Sequence, residues 1–226
     1  MVGPVTPSLW RRCLAEAVGA GFLVAVVVGS GIAAQRLSPG DVGLQLFENA
    51  AATAAGLVAL ILALGPVSGA HFNPVVSLAA RVFGNLSTRD TAAYAGSQVA
   101  GACVGAIVAN LMYELPAVGL STKARSGSGL WLAEVVATVG LLVVIHGSVR
   151  WKPTAATVPF AVGGYIGAAY FFTASTSFAN PAVTIGRTLS DTFAGIEPSS
   201  APAFVAAQLV GLAVAVPLVK GLFSDG

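Results

Sequence analysis

The sequence predicts an all-α membrane protein with six transmembrane helices and two re-entrant half-helices in an inverted repeat. Three observations predict it. The first is composition: the 226 residues are 56% hydrophobic and 9% charged, whereas a soluble domain carries about 25% charged residues. Mean hydropathy is +0.84. The second is a pair of polar inserts between long apolar runs, "AHFNPVVSLAARV" at 70–82 and "SFANPAVTIGRTL" at 177–189, each carrying Asn-Pro. The third is internal repetition. "LAEAVG" at 14–19 returns as "LAEVVA" at 132–137, "FNPVVS" at 72–77 as "ANPAVT" at 179–184, and "QVAG" at 98–101 as "QLVG" at 208–211, with offsets of 118, 107 and 110. Three pairs in one order define a duplicated unit.

The spans run over roughly 10–33, 44–64, 89–113, 130–149, 154–172 and 201–221. Each is long and apolar enough to cross a hydrocarbon core of about 30 Å. The first is read as a retained span and not a cleaved leader, since no small-residue cleavage site with a polar sequel follows it. Arg11, Arg12, Arg81, Arg89, Arg150, Lys152 and Lys220 fall on one side of this layout, and Arg36, Lys123, Arg125 and Arg187 on the other. The richer side is expected to be cytoplasmic, with both termini there and the chain in the plasma (inner) membrane. The whole chain, 1–226, reads as one channel domain with repeat halves of about 1–113 and 130–226. Three spans per half make the second half enter from the opposite side, the layout that forms a midplane site between halves.

The inserts are the chemistry-bearing elements. Each Asn-Pro opens a helical pattern of about ten residues, or about 15 Å, half the core thickness. Pro74 and Pro181 suit the first helical position, where no N–H is needed. Asn73 and Asn180 suit the N-cap, the side-chain oxygen accepting from helix amides and the NH₂ remaining free. Two helix N-termini meeting at the midplane repel cations and protons, and two amides donate to a passing oxygen. That pattern points to passage of neutral hydroxylated solutes.

These residues resemble the aquaporin (major intrinsic protein) family. The resemblance rests on "SGAHFNP" with a second "NPA", a Glu early in the first and fourth spans, and Gln-x-x-Gly in the third and sixth. It implies one pore per protomer, a homotetramer in the bilayer, and Asn73 and Asn180 as the pore asparagines. It implies that Glu16 and Glu134 accept hydrogen bonds from the re-entrant loops, since an isolated acid at a span's centre costs roughly 2.5–3.5 kcal/mol. His71 matches a position lining the cytoplasmic half of the pore, and His146 is read as structural. Gly101/Gly105 and Gly163/Gly167 mark close helix contacts.

The sequence also departs from the family pattern. The first motif is Asn-Pro-Val, with Val75 in place of the usual Ala; the second is Asn-Pro-Ala with Ala182, followed by Val183 where most members carry the filter Arg. Gapless counting from the asparagines puts the other filter positions at Thr53, Ala168 and Ser177, with Thr176 or Phe178 replacing Ser177 if the last count slips by one. Thr, Ala, Ser and Val make a wide, weakly polar constriction. Such a filter suits water together with glycerol-like polyols and undissociated metalloid acids such as arsenous acid; a narrow water-selective channel is the alternative. Arg187, four residues after Val183, shares its helix face. It is either a substitute for the missing Arg or an interfacial residue pairing with Asp191 or snorkelling to headgroups; the interfacial role is the expected one.

Net charge is +2, which argues against a nucleic-acid partner. Cys13 and Cys103 lack CxxC spacing and read as buried packing residues. No nucleophile–base pair, metal-ligand cluster or phosphate loop stands in the sequence, so neither an enzyme nor a cofactor or metal is expected. The competing classes are a secondary transporter, which would need a coupling-ion site, and a non-conducting structural membrane protein.

Overall fold

Eight helices, broken at two re-entrant loops, carry the chain through the membrane and back. A computed structural model describes residues 7–150 and 157–223; Lys152 and the start of the fifth span, 154–156, lie outside the described residues. In chain order the helices are α1 (Leu9–Leu37), α2 (Val42–Ser68), α3 (Pro74–Val82), α4 (Thr88–Met112), α5 (Ser128–Arg150), α6 (Thr157–Phe172), α7 (Pro181–Gly186) and α8 (Ala201–Phe223). Five of them are long and apolar enough to span a bilayer, and α6 is a shorter apolar helix of 16 residues. No strand occurs among the described residues.

Local chemistry sets the helix boundaries. The Asp41 carboxylate caps α2 by accepting from the Leu44 N–H at 2.9 Å, and Ser87 caps α4 through the Asp90 N–H at 3.0 Å. Pro66 lies in the last turn of α2, and Gly69 ends that helix in the left-handed region at φ 89°. The half-helices differ from the expected pair of ten-residue segments. α3 has nine residues and α7 only six, continued by a 3₁₀ turn at Arg187–Leu189.

Packing follows the repeat. α1 packs on α4 and α2, α5 packs on α8 and α6, and α2 meets α6 across the two halves. Glycines permit the closest crossings. A Cβ at Gly101 or Gly105 would collide with the carbonyls of Ala17 and Gly21 on α1. At Gly163 it would lie 2.6 Å from Val58 Cγ2 and 2.8 Å from the Ala54 carbonyl of α2. Without a hydrophobic drive between helices in lipid, such backbone approach supplies much of the association energy.

The charged residues sort to two ends. At one, Arg12 pairs with Asp90 at 2.9 Å, Arg81 Nε donates to Thr88, and Arg150 Nε donates to the Phe223 carbonyl. At the other, Arg36 donates to the Tyr113 carbonyl, Lys123 to that of Phe193 and Arg125 to that of Gly195. There the 113–127 connection lies over the 3₁₀ turn, with the Gly119 and Ser121 amides donating to the carbonyls of Leu189 and Thr188.

Candidate functional site: a pore between the half-helices

Two buried carboxylates hold the re-entrant loops. Glu16 and Glu134 are both 0% exposed. Glu16 accepts from the His71 N–H at 3.0 Å, the Phe72 N–H at 2.6 Å, Ser68 Oγ at 2.6 Å and Gln98 Nε2 at 2.7 Å. Glu134 accepts from the Phe178 N–H at 2.9 Å, the Ala179 N–H at 2.8 Å, Ser175 Oγ at 2.6 Å and Gln208 Nε2 at 2.6 Å. A buried charge is tolerable when its lone pairs are filled, and here four donors fill each.

The loops themselves are unusual backbone. Gly69, Ala70 and Phe72 have φ of 89°, 50° and 50°; Thr176, Ser177 and Ala179, each 107 positions on, have 63°, 52° and 47°. Left-handed non-glycine residues cost about 1–3 kcal/mol each and persist only where the surroundings over-determine them. The carboxylate cages provide that constraint. Irregular backbone at such depth is tolerated in a membrane only when it is buried in protein or lines a cavity.

Each loop delivers an asparagine. Asn73 Oδ1 accepts from the Val75 N–H at 3.0 Å; Asn180 Oδ1 accepts from Ala182 and Val183 at 3.0 and 3.2 Å. The Nδ2 groups are not wholly free, as the sequence alone suggested. Asn73 Nδ2 donates to the Ala179 carbonyl at 2.7 Å and Asn180 Nδ2 to the Phe72 carbonyl at 2.9 Å. Each amide has two N–H groups, so this cross-brace leaves one per asparagine for a solute.

Both asparagines line a cavity of about 810 Å³. Its mouth lies among Asn85, Arg150, Lys220 and Phe223. Its middle wall is apolar, with Leu57, Ile61, Leu141, Val162 and Ile166. Its far end is lined by Thr53, Tyr170, Phe178, Val183 and Arg187. His71 lines it too, with Nδ1 3.0 Å from Ser77 Oγ. His146, expected to be structural, also stands in the wall, its ring tilted 55° against Phe83 at 4.4 Å between centroids.

Not all of the expected filter residues line the cavity. Thr53, Ser177 and Val183 line the cavity, and Ser177 Oγ is buried without a hydrogen-bond partner among the described residues. Ala168 does not line it and is exposed on the protomer's outer surface. The cavity-facing positions of α6 are Val158, Pro159, Val162, Ile166 and Tyr170, spaced mostly by 3- and 4-residue steps. Ala168 sits two residues from both Ile166 and Tyr170, about 200° around the helix. Gapless counting from Asn180 misses this. The spacing of the apolar residues was the available signal. Tyr170 thus brings a ring to the cavity wall, its hydroxyl 3.1 Å from Thr53 Oγ1.

Arg187 does not pair with Asp191, nor does it snorkel. It is 2% exposed, and its Nε donates to the Ala194 carbonyl. Asp191 accepts instead from the Thr122 N–H at 2.9 Å. The Arg187 guanidinium carbon lies 3.4 Å from the centroid of the Phe178 ring, and that of Arg125 lies 5.0 Å from the same centroid. Burial lowers the Arg125 pKa to about 10, so it remains a cation at neutral pH. Sequence reasoning left Arg125, Ser68 and Ser175 without a role in the site. The two serines were findable, since they recur at the 107-residue offset of the asparagines.

Residues 4–177 match the family model described as major intrinsic protein. The chain belongs to the major intrinsic protein family. It is 52% identical over 215 residues to aquaglyceroporin AqpS of Rhizobium meliloti (strain 1021), covering 95% of this chain and 91% of that protein. It is 29% identical over 227 residues to aquaporin Z of Brucella melitensis biotype 1, covering 94% and 97%. Its fold is similar to the X-ray structure of the aquaglyceroporin from Plasmodium falciparum, with a TM-score of 0.74, 21% identity, and coverage of 94% of this chain and 99% of the other. The protein is therefore a multi-pass membrane channel of this family for water and small solutes, and not an enzyme.

Proposed function

We propose that the chain conducts water and small uncharged solutes passively, with glycerol-like polyols and undissociated metalloid acids such as arsenous acid among them. One observation carries this reading. In a cavity with an apolar middle wall, Asn73 and Asn180 are braced across the two halves and each keeps one N–H for a solute oxygen. A solute with a carbon backbone and several hydroxyls can slide on the apolar wall while donating and accepting at this point. The names of the AqpS relative and the Plasmodium structure, both aquaglyceroporins, support the polyol reading. Thr53, Ser177 and Val183 are proposed as filter residues, His71 as pore lining, and Glu16 and Glu134 as supports of the half-helices. Val75 and Ala182, both buried, complete the two Asn-Pro motifs beside Pro74 and Pro181.

We further infer a homotetramer in the plasma (inner) membrane with both termini cytoplasmic. Exposed alanines 51, 55, 59 and 63 along α2 suit close packing of a neighbouring protomer, and the arginine-rich end of the bundle is the end expected inside.

Stopped-flow light scattering on proteoliposomes tests the conducting role. Fast shrinkage in an impermeant osmolyte followed by fast re-swelling in glycerol is expected. Fast shrinkage without re-swelling would establish the narrow water-selective alternative, which Tyr170 at the constriction favours. Shrinkage no faster than in empty vesicles would remove the channel reading for water.

A further inference from the structure

We propose that Arg187 is the selectivity-filter cation of this pore, displaced one helical turn from Val183 and folded back over Phe178 to close the constriction with Thr53, Tyr170 and Val183. The proposal rests on the channel reading above. Val183 and Arg187 are four residues apart and both line the far end of the cavity. A helical side chain leans toward the N-terminus of its helix, and an arginine is long enough to recover one turn of about 5.4 Å. Its placement is built by its neighbours. Ala194 accepts from Nε, and the Phe178 ring lies under the guanidinium at 3.4 Å. Among the described residues Arg187 has no ion pair.

A guanidinium buried without a carboxylate is costly, and a merely structural residue would be expected to find one. A carbonyl and an aromatic face satisfy Nε and the π surface only. The terminal NH₂ groups remain as donors toward the cavity that Arg187 lines. A buried guanidinium lining the cavity repels cations and protons and hydrogen-bonds a neutral solute. Phe178 is then a positioning residue. It occupies in the second repeat the place of His71 in the first, 107 positions earlier, and packs edge-on to Phe204 at 5.2 Å as His71 does to Tyr94 at 5.5 Å.

The test compares wild type, Arg187→Val, Arg187→Lys and the double variant Val183→Arg/Arg187→Val in proteoliposomes. It reads the erythritol-to-glycerol permeability ratio and the proton leak reported by an entrapped pH dye. Arg187→Val should raise the ratio by roughly tenfold, the low end of what a change in pocket size carries, and admit protons. Arg187→Lys keeps the charge without the planar stack; it should raise the ratio while still excluding protons. The double variant should restore both wild-type values, which a purely structural arginine at the outer loop would not allow. Wild-type ratio and leak in both single variants would overturn the proposal, as would failure of the double variant to restore them. If Arg187→Val does not fold, Arg187→Lys and the double variant decide. Wild-type vesicles no more permeable than empty ones would instead defeat the channel reading and this proposal with it.

Discussion

At the residue scale, Tyr170 bears most directly on the proposed filter. Its hydroxyl meets Thr53 across the constriction at 3.1 Å, and its ring is buried where Ala168 was expected to leave open space. An opening lined by Thr, Tyr, Val and Arg is amphipathic, with hydroxyls and a guanidinium beside apolar surface. The ring rather than the hydroxyl is expected to limit solute size. Tyr170→Ala should therefore raise the glycerol-to-water permeability ratio, roughly tenfold on the scale of pocket-size discrimination. Ala168→Phe, on the outer surface of the same helix, should leave the ratio unchanged. Stopped-flow traces of the two variants side by side check this, and the reverse pattern would return Ala168 to the filter.

At the element scale, the crossing of α1 and α4 depends on absent side chains. Gly105 lies against the Gly21 backbone, and any Cβ there strikes a carbonyl that cannot rotate away. Gly105→Val should cost more than the about 1–3 kcal/mol typical of overpacking, because backbone must yield. Gly96, on the same helix with nothing within 4 Å of its notional Cβ, makes the control. Gly96→Ala should be neutral or stabilising by up to about 1 kcal/mol from helix propensity. Thermal unfolding in detergent, followed by circular dichroism, separates the two. Such contacts were legible in the sequence as small-xxx-small spacing, and so were the helix order and the half-helix starts at Pro74 and Pro181. The pore face of α6 was not, because the count ran from a distant anchor instead of along the helix's own periodicity. Arg187 was misjudged for a different reason. Spacing put it on the right face, but whether a long side chain turns inward or out to headgroups depends on what covers it. That cover is Phe178 and Ala194, the latter brought over by the 190–200 loop.

At the scale of the whole molecule, the two halves meet at their strained backbone. Asn73, on the first half, braces Ala179 of the second; Asn180 braces Phe72 of the first. Each asparagine thus caps its own half-helix and fixes the loop next to the other asparagine. Replacing either by Ala removes a cap, worth about 0.5–2 kcal/mol, together with a buried hydrogen bond whose carbonyl partner is left unsatisfied, at about 1–3 kcal/mol. The second replacement then acts on a loop the first has already released. Asn73→Ala and Asn180→Ala should therefore be less than additive, with a coupling of about 0.5–3 kcal/mol, as for residues sharing one network. A double-mutant cycle on thermal stability measures it. Effects adding to within about 0.5 kcal/mol would mean that the halves are registered by the helix contacts between them, α2 on α6 and α4 on α7 foremost. The asparagines would then shape the pore without holding it together. A measurable coupling would mean that the point where solute is recognised is also the point that locks the repeats, so substitutions there would alter permeability and stability together.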